Sequence, residues 1–402
     1  MPDRALEGLR VVECGDGAAA SYAGKLLADL GAGVVKVEDP RTGHPARYRG
    51  PFPGGQPDPE KSGLFLYLNC NKQGVTLNLL DPQGRELLDR LLTSADVLLS
   101  DYRPRDAEPR GLTYDRLQPD FPSLVAASIT PFGLTGPHRD YAAHELTALS
   151  AGGWTWINGA PGETGMPPLK PFGLQASYQG ALAAANAVMG ALLWRESSGR
   201  GQLIDVSIQE AIASILELTY VFWPYMHLPA VRYGQRPVAP VNFFECKDGW
   251  IFVFCLEEAQ WQSFVDLMGN PEWATWEVFA NRFTRTANVD ALEPLIQEFI
   301  KDWTVDDLYR AAQARRVPFA PVSTIADLLD SPHLKARGFF VEVAHPQAGK
   351  LTYPGAPYKH GVTPWEVRSP APTLGQHNQT VLCDRFGLPA DELRSLQEAG
   401  VV

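Results

Sequence analysis

The chain has 402 residues, 45% of them hydrophobic, which is enough for a large core and for more than one lobe. A formal charge of −11 argues against a nucleic-acid partner, because binding a phosphate backbone needs a surplus of Lys and Arg on one face. The amino end carries Asp3, Arg4 and Glu7 before any apolar run, unlike a signal peptide, and no uncharged stretch approaches a bilayer span, so a cytoplasmic protein with no membrane contact is expected.

Leu9 to Glu13 (LRVVE) reads as a strand that enters a small-residue turn, Gly15 to Ser21. An apolar-periodic helix follows over Tyr22 to Leu30 and stops at Gly31, and Val34 to Glu38 is a second strand. A β-α-β opening implies a parallel, doubly wound sheet. Arg85 to Leu92 is an amphipathic helix feeding a strand at Val97 to Leu99, and Leu124 to Ile129 gives another strand before the Gly/Pro-rich loop Pro131 to Pro137. The Ala-rich segment Ala176 to Arg195 predicts a long buried helix that ends at SSGRG and leads to the strand-like LIDVS.

Beyond it, FFECKDGWIFVFC predicts a hairpin turning at Asp248-Gly249, with helical segments at Glu258 to Met268 and Leu292 to Arg315. The fold class is therefore α/β. The expected division is a Rossmann-like large domain over 1–220, a small α+β domain with linkers over 221–345, and a Pro-rich segment, 346–402, returning to the large domain and ending in a short helix. The five cysteines, at 14, 70, 246, 255 and 383, have no CxxC pairing and no His at metal-ligand spacing, so reduced thiols are expected, without disulfide, zinc or other metal. Trp154, Trp156, Trp223 and Tyr225 are candidates either for a pocket accepting an aromatic acid or for plain core.

Several blocks carry a family likeness: LEGLRVVE with LLADLGAGVVKVEDP, YLNCNKQGVTLNL, ADVLLSDYRP, FGLTGP, ESSGRGQLIDVSIQEA, RRVPFAPVSTIADLLDSPHLKARGFF and PAPTLGQHNQTVL. In this order they resemble the CaiB/BaiF group, family III of the coenzyme A transferases. The resemblance implies the CaiB/BaiF fold, two chains threaded through each other as an interlocked dimer, a CoA thioester as substrate and a carboxylic acid as its second partner. It also implies CoA binding by Gly15, Ala18, Ala19, Lys72, Asp101, Tyr102 and Arg103. The residues themselves fit two descriptions. Backbone N–H groups of the Gly15 turn suit phosphate oxygens, or the turn is plain structure; Lys72 and Arg103 meet phosphate or adenine, or are solvated charges. Asp101 stands where the family commonly has Asn, and its charge is unfavourable beside a diphosphate unless it meets a hydroxyl or the adenine amine.

The family nucleophile is an Asp near the start of the Ala-rich helix, which forms an acyl anhydride and then an enzyme-bound CoA thioester. The corresponding stretch here is PFGLQASYQGALAAA, with Ser177 at that position and no Asp or Glu between Glu163 and Glu196. Three readings are open. Ser177 is itself a nucleophile, or merely a helix-capping Ser. Alternatively, as the likeness of AAHELTAL to the α-methylacyl-CoA racemases implies, His144 moves an α proton, unless His144 and Glu145 are a structural hydrogen-bonding pair. The third and leading reading is a subunit that lacks the nucleophile, of the benzylsuccinate CoA-transferase type, paired with an Asp-bearing homologue in a heterodimer. A homodimer, or a non-enzymatic scaffold for a catalytic paralogue, are the remaining alternatives.

Overall fold

Six short strands form one parallel sheet: β1 (Arg10–Cys14), β2 (Gly33–Glu38), β3 (Lys72–Thr76), β4 (Val97–Ser100), β5 (Val125–Thr130) and β6 (Leu203–Ser207). The computed structural model describes residues 3–159, 167–230 and 238–402, so Glu163 lies outside the described residues. The strand order is β3-β2-β1-β4-β5-β6, with Val12 opposite Val35 on one side and Leu98 on the other. This is the doubly wound order, in which the crossovers reverse direction between β1 and β4. Ligands of such sheets bind at the carboxyl ends of the two strands flanking that reversal. Those ends here are Cys14-Gly15 and Ser100-Asp101.

Both faces of the sheet are covered, as the near-continuous apolar runs of β1, β2 and β4 require. Val11, Val34, Val97 and Leu99 point into one core with helices α1 (Ala18–Asp29) and α4 (Gln175–Ser198). Val12, Val35, Val37 and Leu98 point into the other, with α2 (Pro82–Leu92) and the C-terminal helix Ala390–Glu398. The α2 start is specified locally: Asp81 accepts from the Gln83 N–H at 2.8 Å, and Pro82 sits where its missing N–H costs nothing. Helix α3 (Glu145–Ala151) and α5 (Ile208–Ser214) complete this layer around α4.

Two expectations need correction. Helix α4 is buried along one side only, through Ala176, Gly180, Ala181, Ala184, Val188, Ala191 and Leu192. Its other side leaves Leu182, Met189, Leu193 and Trp194 exposed, because the Ala-rich stretch is apolar all round and the sheet can cover just one face. The segment Leu292 to Arg315 is two helices, Val289–Ile300 and Val305–Ala314, separated where Thr304 caps the second by accepting from Asp307 N–H.

Strand β3 and an antiparallel pair, Phe340–His345 with Gly349–Pro354, were not foreseen. The C-terminal block GQHN covers the outer edge of β3: His377 Nδ1 accepts from Gly74 N–H at 3.0 Å and Asn378 Oδ1 from Thr76 N–H at 2.9 Å. The chain divides into two compact units, Met1–Arg232 with Phe339–Val402, and Tyr233–Gly338. The second has its own three-stranded sheet, β7 (Val241–Glu245), β8 (Trp250–Phe254) and β9 (Ala320–Pro321), around a core that includes Phe264, Phe279 and Leu292.

Candidate active-site cleft

At the carboxyl ends of β1 and β4 the chain supplies its own anion. Asp101 accepts N–H bonds from Asp16 (3.0 Å) and Gly17 (3.1 Å) through Oδ1, and from Ala20 (3.2 Å) through Oδ2. These are orphan donors at the start of α1, whose N-cap Gly17 has no side chain to satisfy them. Glycine is required on both sides of the carboxylate, since a Cβ on Gly15 would lie 2.2 Å from Asp101 Oδ1 and one on Gly17 2.6 Å from Oδ2. Burial pushes the Asp101 carboxyl up to about 6, the N–H bonds of Ala20 and Gly17 opposing the shift and the neighbouring Asp16 adding to it. The turn therefore has fewer free donors than its sequence suggests.

Tyr102 and Arg103 are tied down beside it. The Tyr102 hydroxyl donates to Asp16 Oδ1 at 3.0 Å, and the Arg110 guanidinium lies over the Tyr102 ring at 4.5 Å. Arg103 donates through Nε to Asp106 Oδ2 at 2.7 Å and pairs with the same carboxylate through Nη2 at 2.6 Å. Together with Ala18, Ala19, His144 and Ser177 these residues line one open cleft of about 350 Å³. Ile129, Pro131 and Ile208 form part of its apolar wall.

Glu145 lies behind Ser177. Helix α4 begins after Leu174, which offers no side-chain cap, and the Glu145 carboxylate takes that role from α3. It accepts Ala176 N–H at 2.9 Å through Oε2 and Ser177 N–H at 3.1 Å through Oε1, and the Ser177 hydroxyl closes on the same Oε1. His144 itself is exposed, so the two adjacent residues have different settings: His144 in the cleft, Glu145 on a helix start. Nothing among the described hydrogen bonds joins their side chains.

Lys72 does not reach the cleft. Its ammonium, fully buried, donates to Glu13 Oε2 (2.7 Å), Ser21 O (2.7 Å) and Asn69 Oδ1 (2.9 Å), while Lys36 takes Glu13 Oε1 at 2.7 Å. Burial pulls Lys72 down to about 8 against the attraction of Glu13. The Glu13 carboxyl stays low, since Lys36 and Lys72 outweigh its burial. The Asn-x-Asn-Lys block is a structural hub: Asn71, in the left-handed region at φ 65, donates to Asp29 and to Glu366 O and accepts from Arg368 and Ser369 N–H. A cation this thoroughly satisfied has no donor left for a nucleotide.

The structure thus brings Ala18, Ala19, Asp101, Tyr102, Arg103, His144 and Ser177 to one cleft, with Gly15 packed behind Asp101 and Glu145 behind Ser177. Sequence reasoning missed Asp16 and Asp106. The second had a signal in DYRPRD, where Arg103 and Asp106 stand three apart at a helix start. Trp156, Trp223 and Tyr225 are exposed and do not line this cleft, while Trp154 packs on the α4 core. All five cysteines are free thiols. Among the described residues, no cluster of three His, Cys, Asp or Glu is placed to hold a metal, and no helix is long and apolar enough to cross a membrane.

The family model for CoA-transferase family III matches residues 6–378. The chain is 32% identical over 410 residues to the succinyl-CoA--D-citramalate CoA-transferase of Chloroflexus aurantiacus, covering 100% of this chain and 99% of that protein. It is 33% identical over 397 residues to the succinyl-CoA:(R)-benzylsuccinate CoA-transferase subunit BbsE of Thauera aromatica, covering 95% and 94%. Among solved structures, a CAIB/BAIF family protein from Brucella suis superposes with a TM-score of 0.86 at 29% identity, over 95% of this chain and 100% of that one.

Proposed function

The chain belongs to family III of the CoA-transferases, and from that membership we propose that it is the non-nucleophilic subunit of a heteromeric transferase moving CoA between organic acids. The observation that carries this reading is the chemistry of the Ser177 position in the cleft wall. In transfer through a carboxylate, the side chain attacks the acyl thioester and CoA thiolate leaves, giving a mixed anhydride; the thiolate then attacks the enzyme's own carbonyl carbon, the anhydride C–O bond breaks and the donor acid leaves as its carboxylate. A serine hydroxyl has no such carbon. It could carry an acyl group as an ester, but it cannot hold CoA.

The nearby carboxylate of Glu145 does not fill the gap, because both its oxygens serve the α4 start and it lies outside the cleft lining. A partner chain bearing the Asp would complete the site. Pairing with a second chain is supported by the exposed apolar face of α4, Leu182, Met189, Leu193 and Trp194, and by exposed Tyr220, Trp223 and Tyr225 on the helix Glu217–Met226. It is further supported by the likeness to a relative named as a subunit. We propose the interlocked arrangement for that pair, with succinyl-CoA as donor because both relatives are named for it.

The test is a transferase assay with succinyl-CoA and a panel of organic acids, run on the chain alone and on the chain co-expressed with an Asp-bearing family III homologue from the same genome. The expected result is turnover in the pair and none from the chain alone. Turnover by the isolated chain would overturn the reading.

A further inference from the structure

The cradle at the switch point is filled by the chain's own carboxylate. Three N–H donors of the β1–α1 turn converge on Asp101, and Gly15 and Gly17 leave the room that this carboxylate occupies. A phosphate oxygen would need the same three donors, and they cannot serve two anions. Displaced from them, Asp101 would face Asp16, and among the described residues lining the cleft the one Lys or Arg side chain, Arg103, is held by Asp106. The charged side chains lining the cleft are Asp16, Asp101, Asp106 and Arg103, an acidic balance where a diphosphate would sit.

We propose that Asp101 sets the ligand preference of this cleft, holding the switch-point cradle closed to phosphate so that the chain discriminates against CoA at its own half of the site. The inference deepens the non-nucleophilic reading, but its readout is binding and not turnover, so either can fail alone.

The test is calorimetric titration of CoA, and separately of inorganic pyrophosphate, into the full chain and two variants shown to be folded by circular dichroism. Asp101→Asn keeps the shape and an acceptor oxygen while removing the charge; Asp101→Ala frees the three donors. Wild type should bind CoA weakly, Asp101→Asn should bind it at least about tenfold more tightly, and pyrophosphate should bind Asp101→Ala more tightly than wild type. If neither variant binds CoA or pyrophosphate more tightly than wild type, the proposal is overturned. A wild-type chain that binds CoA tightly and loses affinity in Asp101→Asn would make Asp101 a CoA ligand instead, which also overturns it.

Discussion

Glu145 and Ser177, 32 residues apart in sequence, meet at the first turn of α4, where one carboxylate oxygen receives both the N–H and the hydroxyl of Ser177. Any acid restored at position 177 would therefore face an existing carboxylate. Ser177→Asp alone should place two like charges in contact, raise the pKa of the pair, and make the variant progressively less stable as pH rises through the carboxylate range. Combining it with Glu145→Gln should recover most of the loss. Thermal melting of both variants across pH checks this; equal melting of the single and double variants at all pH values would contradict it.

Removing the cap has its own expected magnitude. Glu145→Ala strips the α4 start of its acceptor for Ala176 and Ser177 N–H and should destabilise the chain by about 1–2 kcal/mol, the range for losing a helix cap. Denaturant unfolding, with an unchanged slope and a lower midpoint, is the measurement.

Gly24 should resist the most benign helix substitution. In the middle of α1, Ala is ordinarily favoured over Gly, yet a Cβ here would lie 2.2 Å from Glu13 Oε2 and 3.3 Å from Lys72 Nζ. Those atoms belong to a buried ion pair that cannot retreat into water. Gly24→Ala is expected to destabilise by about 1–3 kcal/mol or more, in place of the gain of roughly 1 kcal/mol that helix propensity alone would give. Chemical denaturation decides between the two signs.

How far the sequence could be read follows from which signals are local. LRVVE and VVKVE declare themselves as buried parallel strands through adjacent valines that supply an apolar residue to each face, and the unbroken run of α4 back from SSGRG carries Ser177, near the helix start, to the cleft wall. Strand β3, KQGVT, was missed because its Lys and Gln look solvent-facing, whereas Lys72 is neutralised by Glu13 on β1, 59 positions away. A still longer separation, 81 to 85 positions, hid the nature of the turn at Gly15. Its donors look free in sequence, and the carboxylate that takes them, Asp101, arrives from β4. Glu145 was noted beside His144, but its placement on α4 depends on how α3 packs, which no spacing within AAHELTAL records.

The Asp101 carboxyl, pushed up to about 6, gives a pH signature. A carboxyl with a raised folded pKa binds its proton more tightly in the folded chain. Its contribution to stability is therefore fully present below the unfolded value and is lost as pH rises through about 6. Asp101→Asn should show little advantage near pH 4 and a growing one toward pH 7, on the order of 2 kcal/mol after allowing for solvent screening. Unfolding free energies of both forms across that window test it; a difference that is flat, or that grows toward acid, would contradict it.

Trapping of the covalent intermediate decides most directly whether this chain carries the transfer chemistry. The isolated chain is incubated with succinyl-CoA, treated with hydroxylamine or borohydride, digested and examined by mass spectrometry, because an enzyme thioester is converted to a hydroxamate or an alcohol on the residue that bore it. The expected result is no modified residue on this chain, and a modified Asp on the Asp-bearing homologue when the two are present together. A hydroxamate or alcohol on any carboxylate of this chain, Glu145 above all, would contradict the assignment of a non-nucleophilic subunit.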